Sequence, residues 1–258
     1  MRVVLIGAGR LATNLGHALK DAGHEVTCVY SRTLESAQVL ADALGTQCTN
    51  QLHAVPKEAD IFIVALKDSV LSNLLPQVVQ GREGQLFVHT AGSMPMSLFC
   101  GSAQHYGVFY PMQTFSKERL VDFREISLFI EASDDESLHL LQLLAASLTS
   151  HVYLLNSEDR KHLHLAAVFA CNFVNHCYAL SAEVLERKGL PFSVMLPLID
   201  ETARKVHTLS PREAQTGPAV RYDENVIRMQ SQMLIHDPLT QAIYQQLSQS
   251  IHQKQKQS

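Results

Sequence analysis

Hydrophobic and polar positions follow two rhythms along this chain of 258 residues. Through residues 1–155 short apolar runs alternate with amphipathic stretches. Residues 3–6, 26–30, 61–66, 86–90, 107–110, 126–130 and 151–155 read as strands, with a weaker run at 47–49. Between them, residues 11–19, 34–44 (closed by Gly45), 70–79 (interrupted at Pro76) and 135–148 carry helical periodicity. Alternation of this kind predicts βαβ units, a largely parallel sheet and ligands at the carboxyl ends of the strands.

The second rhythm is helical throughout. Asn156 or Ser157 suits an N-cap, Glu158 and Asp159 fill the first turn, and one long helix runs to about Lys188. Gly189 stops it, with Pro191 beyond. Residues 192–209 read as a helix kinked at Pro197, followed by a loop containing Ser210-Pro211 and Thr216-Gly217-Pro218. Helices at 224–234 and 239–252 and a frayed tail at 253–258 complete the chain. The pattern divides the protein into an α/β domain, 1–155, and an all-helical domain, 156–258.

Where the first strand meets the first helix, Val3-Val4-Leu5-Ile6 runs straight into Gly7-Ala8-Gly9-Arg10-Leu11-Ala12. Gly7 permits the tight turn, Gly9 lets a pyrophosphate approach the backbone, and Ala12 allows close packing of helix on strand. The open N–H groups of the helix start then receive the anion. This predicts a Rossmann-type, mainly parallel sheet domain that holds a dinucleotide; a glycine turn without a ligand is the plainer alternative.

The end of the second strand discriminates between dinucleotides. It reads Ser31-Arg32-Thr33, with no carboxylate before Glu35. An acid there would suit the ribose hydroxyl of NAD, whereas Arg32 suits a 2′-phosphate, with Ser31 and Thr33 adding hydroxyls. NADP, as NADPH, is therefore the expected cofactor. Two later strand ends complete the expected cleft: Ala65, Leu66 and Lys67, then Thr90, Ala91 and Gly92. Lys67 and its neighbour Asp68 read equally well as a solvated turn.

Composition narrows the partners. Net charge is −4 and no basic stripe appears, which argues against nucleic acid. The cysteines Cys28, Cys48, Cys100, Cys171 and Cys177 show neither metal nor disulfide spacing, so no metal and a reducing, cytoplasmic setting are expected. No signal peptide is expected before the first strand, and no unbroken apolar run approaches the ~18–20 residues of a membrane span.

The candidate chemistry lies on the long helix. At ~100° per residue, Lys161, His164, Asn172 and Asn175 share roughly a quarter of its circumference. Leu163, Ala166, Ala167, Ala170, Phe173 and Val174 cover most of the rest. A mostly buried helix with one polar stripe points that stripe at a ligand, at solvent or at another subunit. His164 suits a proton donor to a carbonyl oxygen as hydride arrives, since histidine ordinarily titrates near 6.5. Asn172 and Asn175 suit substrate orientation, and Lys161 suits a carboxylate or plain exposure.

Four stretches together resemble one family. They are Ile6-Gly7-Ala8-Gly9-Arg10-Leu11-Ala12, Phe109-Tyr110-Pro111-Met112-Gln113-Thr114-Phe115-Ser116, residues 164–172, and Thr216-Gly217-Pro218-Ala219-Val220-Arg221-Tyr222-Asp223. The family is the Rossmann-like oxidoreductases with a DUF2520 domain, relatives of pyrroline-5-carboxylate reductase and 6-phosphogluconate dehydrogenase. The resemblance implies an NADP-binding domain, a helical domain that supports homodimerisation, and an active site between the two. The family commonly has His-Pro-x-Gln-Thr-Phe-Ser, from which Tyr110 departs. Its hydroxyacid dehydrogenase relatives use a lysine four residues before a helix asparagine; Val168 stands there, so that mechanism does not carry over.

Gln113, Thr114 and Ser116 offer donors to a polar pocket after a strand end. Arg221 suits a substrate carboxylate, or equally an ion pair with Asp223, Glu224 or another acid. The expected activity is NADPH-dependent reduction of a small, carboxylate-bearing carbonyl or imine compound, a ketopantoate-like 2-oxo acid among them. A dinucleotide-binding sensor without turnover and F420-linked redox chemistry are the rivals.

Overall fold

The computed structural model describes residues 1–256. The chain forms two compact units, Met1–Cys171 and the part beginning at Asn172. The division falls within the long helix, later than the change of sequence pattern near 156.

The first unit is built on eight strands: β1 Arg2–Ile6, β2 Glu25–Tyr30, β3 Gln47–Thr49, β4 Ile61–Val64, β5 Leu86–His89, β6 His105–Met112, β7 Ser127–Ala132 and β8 Val152–Leu154. Their order in the sheet is β3-β2-β1-β4-β5-β6-β7-β8. Every pairing is parallel except β6 with β7. Strand order reverses between β1 and β4, the switch point at which such sheets open a crevice.

Alternation along each buried strand feeds two apolar layers. Val3, Leu5, Ile61 and Ile63 pack on one face with helices α1 Arg10–Asp21, α2 Leu34–Leu44 and α4 Asp135–Leu148. Val4, Ile6, Phe62 and Val64 pack on the other with α3 Asp68–Val79. Helices on both faces explain why the strands read as continuous apolar runs.

Two expectations for this unit are corrected. Pro76 does not interrupt its helix: α3 continues through it to Val79, because Val78 and Val79 beyond the proline are buried in the core. The strand expected at 107–110 is longer, His105–Met112. Its Pro111 is tolerated because the pairing with β5 ends at Val108.

A helix spans Ser157–Glu186: α5 Ser157–Ala167, a π-helical segment Val168–Phe173, and α6 Val174–Glu186. Gly189, at φ +70°, follows its end as expected. By length and composition alone this helix suffices to cross a membrane, its best 18-residue window having a mean hydropathy of 1.3. The window passes because it averages over all faces of the helix, although no single unbroken run reaches that length.

The second unit continues with α7 Leu196–Lys205, α8 Pro218–Arg221, α9 Glu224–Gln232 and α10 Pro238–Lys256. Pro197 starts α7 rather than kinking it, a position where its missing N–H costs nothing. Residues 253–256 are helical rather than frayed: Gln and Lys are good helix formers, and Gln255 donates to the Arg212 carbonyl at 3.2 Å. The remainder of that tail, Gln257 and Ser258, lies outside the described residues.

Candidate active site

A cavity of about 610 Å³ opens at the carboxyl ends of β1, β2 and β4. Gly7, Ala8 and Gly9 form one wall, Ser31, Arg32 and Thr33 a second, and Ala65, Leu66 and Lys67 a third. Three expected segments thus converge on one space. Local backbone bonds hold them together: Gly7 N–H donates to the Tyr30 carbonyl at 2.7 Å and Ala65 N–H to the Ile6 carbonyl at 2.8 Å.

The two glycines do different work. Gly7 sits at φ +126°, and a Cβ there would lie 2.3 Å from the Ala65 carbonyl oxygen. Gly9 would meet nothing within 4 Å, so its missing side chain leaves open space beside the start of α1. No side chain caps that helix and no acid occupies its first turn. Its first N–H groups are therefore available to an anion, and Arg32 adds a cation to the same cavity. The donor set fits a phosphorylated dinucleotide.

Arg10, Leu11 and Ala12 do not line the cavity. Ala12 is fully buried in the core, the close-packing role its size suggested, while Arg10 is exposed. Lys117 does line it, beside Asn73 and Gln77, and was not singled out from the sequence. It is carried by a loop anchored on Asn14, a buried residue whose Nδ2 donates to the Ser116 carbonyl at 2.7 Å and whose Oδ1 accepts from Val121 N–H at 3.0 Å. Apolar periodicity gives no warning of such a polar anchor.

Thr90, Ala91 and Gly92, on the turn after β5, do not line the cavity and belong to a neighbouring cluster. There His164 on α5 meets Tyr110 on β6, its Nδ1 lying 3.0 Å from the hydroxyl. Beside them Ser93 donates to an Asp68 carboxylate oxygen, joining the turns after β4 and β5. Arg160, one turn before His164, is fully buried and donates to Glu131 at 2.6 Å and to the Met94 carbonyl at 2.6 Å. Ser157 also donates to Glu131, at 2.7 Å, and its hydroxyl accepts from Met96 N–H at 2.9 Å. The start of α5 is thereby bolted to the turn that carries Gly92. His89 is buried beneath that turn, accepting from Ala91 N–H through Nδ1 and facing the Pro95 carbonyl through Nε2. Burial pushes its imidazole down to about 4.

Two family models match the chain: NADP oxidoreductase coenzyme F420-dependent over residues 2–92, and Domain of unknown function (DUF2520) over residues 126–251. A crystal structure from Bacteroides fragilis, of a protein described as an NADP oxidoreductase, is 57% identical with a TM-score of 0.94, covering 98% of each chain. The chain belongs to the DUF2520-bearing NADP oxidoreductases.

The fold recurs in more distant structures. The Thermotoga maritima protein TM1727 matches at a TM-score of 0.76 and 22% identity, over 97% of this chain and 99% of that one. An imine reductase from Myxococcus stipitatus in complex with NADP+ matches at 0.65 and 17%, over 100% and 93%. Glutamyl-tRNA reductase from Rhodopirellula baltica is 41% identical over 64 residues, which is 24% of this chain and only 15% of that protein.

The remaining expected site residues of this oxidoreductase are placed as follows. Lys161 is half-buried and paired with the Glu158 carboxylate at 2.6 Å, i,i+3 at the helix start, rather than simply exposed. Gln113 and Thr114 are exposed and bonded to one another, Thr114 N–H donating to Oε1 of Gln113 at 2.9 Å; Ser116 is half-buried. Asn172, Asn175 and Arg221 are exposed and belong to the second unit. Arg221 makes no ion pair among the described residues, so the pairing with Asp223 or Glu224 is not formed.

The helix is also not the mostly buried one expected. Arg160 is its only buried residue among those described, while Leu165 and Val174 are exposed. The π-helical segment Val168–Phe173, which begins after His164 and includes Asn172, further breaks the constant phase on which the polar stripe was drawn.

Proposed function

We propose that this oxidoreductase uses NADPH to reduce a small carbonyl or imine compound bearing a carboxylate, with 2-oxo acids of the ketopantoate kind among the candidates. The observation that carries the reading is the cavity in which an uncapped helix start, the open side of Gly9 and Arg32 share one space. The α1 N–H groups would take the pyrophosphate, and Arg32 with Ser31 and Thr33 the 2′-phosphate; Lys117 adds a second cation there. When bound, the nicotinamide supplies the hydride. His164 supplies the proton that the developing oxygen or nitrogen anion needs. Asn172, Asn175, Gln113, Thr114 and Ser116 are assigned to orienting substrate and Arg221 to its carboxylate; Lys161 drops out because of its ion pair. The structural likeness to imine reductase and to pyrroline-5-carboxylate reductases supports the C=N alternative.

Melting of the full chain with NADPH and with NADH tests the cofactor, since ligand at one hundred times Kd adds about 2.7 kcal/mol to apparent stability. NADPH is expected to stabilise more than NADH; protection by neither would favour F420. Following NADPH oxidation with ketopantoate, 1-pyrroline-5-carboxylate and other 2-oxo acids tests the reaction. Cofactor binding without turnover of any of them would favour the sensor.

We further infer a homodimer formed through the helical unit. Ala219 and Leu234 are its only buried apolar residues among those described, whereas Leu198, Met233 and Leu239 are more than 60% exposed. A helical unit with so little core of its own is completed by a second copy. Light scattering on the purified protein is expected to give twice the 28.7 kDa chain mass. Five unpaired cysteines fit a reducing compartment, and we place the protein in the cytoplasm.

A further inference from the structure

Tyr110, His164 and Gly92 come from three segments that only the sheet order brings together. The rings of Tyr110 and His164 meet edge to face, with centroids 6.1 Å apart and planes at 71°. A Cβ on Gly92 would stand 2.5 Å from Nδ1 of His164 and 2.9 Å from Cζ of Tyr110, so glycine backbone closes one side of the pair. Phe129 packs against the tyrosine ring at 6.3 Å. Burial pushes the phenol above its usual range, with the positive Arg160 opposing and Asp68 reinforcing the shift. The hydroxyl therefore keeps its hydrogen at neutral pH, and Nδ1 of His164 is the acceptor in reach. Nε2 of His164 makes no hydrogen bond among the described residues.

We propose that Tyr110 is a positioning residue for the reaction: its hydroxyl holds His164 by Nδ1 and leaves the hydrogen of the neutral ring on Nε2. This rests on the reading of His164 as proton donor. In the reduction, the carbon of C=O or C=N accepts hydride from NADPH and its π pair moves to the oxygen or nitrogen. That atom takes the proton from Nε2 of the imidazolium, which leaves a neutral ring with its hydrogen on Nδ1, donating to the tyrosine oxygen; uptake of a solvent proton at Nε2 and loss of the Nδ1 proton restore the resting form with hydrogen on Nε2. While the ring is charged, Nδ1–H donates to the tyrosine oxygen; when it is neutral and resting, the hydroxyl donates to Nδ1. A hydroxyl serves both states without rotation of the ring, because it donates and accepts. The assignment gives a role to the position at which this chain departs from its family's histidine.

Side-chain ¹⁵N NMR of the full chain reports which nitrogen of His164 carries hydrogen, the signal being assigned by its loss in His164→Asn. The wild-type protein is expected to show hydrogen on Nε2. Tyr110→Phe is expected to lose that preference while keeping its melting temperature and the rise on adding NADPH. With whichever of ketopantoate or 1-pyrroline-5-carboxylate is turned over, its kcat should fall roughly tenfold to a hundredfold with KM little changed, less than loss of a general acid costs. Hydrogen on Nδ1 in the wild type, or an unchanged His164 signal in Tyr110→Phe, would overturn the proposal. If His164→Asn turns over at the wild-type rate, the proton-donor reading fails. If it is slow while Tyr110→Phe is not, the role of Tyr110 alone fails.

Discussion

Arg160 and Glu131 form a buried ion pair at 2.6 Å, in which the guanidinium is fully enclosed and the carboxylate retains 17% of its side-chain exposure. Arg160 Nε has no hydrogen-bond partner among the described residues, so the compensation they give it comes from Glu131, Met94 and Ser157. The two partners are therefore unequal. Removing the acid strands a buried cation, whereas removing the arginine leaves an acid that solvent and Ser157 still reach. Glu131→Ala is expected to destabilise by about 3–5 kcal/mol and Arg160→Met by distinctly less. Urea midpoints of the two variants check the order, and equal losses would contradict it.

The two glycines of the cofactor turn should separate fold from function. Gly7→Ala forces a side chain into a left-handed conformation and into the Ala65 carbonyl, and should cost on the order of 3 kcal/mol or more. Gly9→Ala adds its methyl to open space at an ordinary φ of −80°. Its unfolding free energy without ligand should stay within about 1 kcal/mol of wild type, while the stabilisation by NADPH shrinks.

Arg32 should decide between the two nicotinamide cofactors. Arg32→Ala removes a charged partner of the 2′-phosphate, worth about 1.5–3 kcal/mol, so the Kd for NADPH should rise roughly tenfold to a hundredfold. The Kd for NADH should hardly move. Titration calorimetry with both dinucleotides distinguishes this from a general loss of affinity.

His89 makes the folded protein sensitive to mild acid. Its imidazole is pushed down to about 4 in the fold against 6.5 when exposed, so between those values the unfolded chain binds a proton that the folded chain refuses. Stability thus falls as pH drops below 6.5 and the loss is complete below about 4, reaching about 3 kcal/mol. Denaturation midpoints across that window should decline in the wild type and decline less in His89→Gln.

The sequence by itself determined the sheet, its helices, the glycine turn and the cation at the second strand end. Those features are local: a strand buried on both faces, a turn that excludes side chains and a helix start are each written in a few consecutive residues. It also placed the helical half, although not the π-helical segment at Val168–Phe173, since apolar spacing does not report hydrogen-bond slippage. Only the tertiary structure decided which polar residues meet. Tyr110 and His164 lie 54 positions apart, Arg160 and Glu131 29, and Asn14 and Ser116 102. The first two pairs form because strand order sets β6 and β7 side by side and α5 bonds to both, the third because α1 meets the loop after β6; periodicity in one segment carries no information about its neighbour in space.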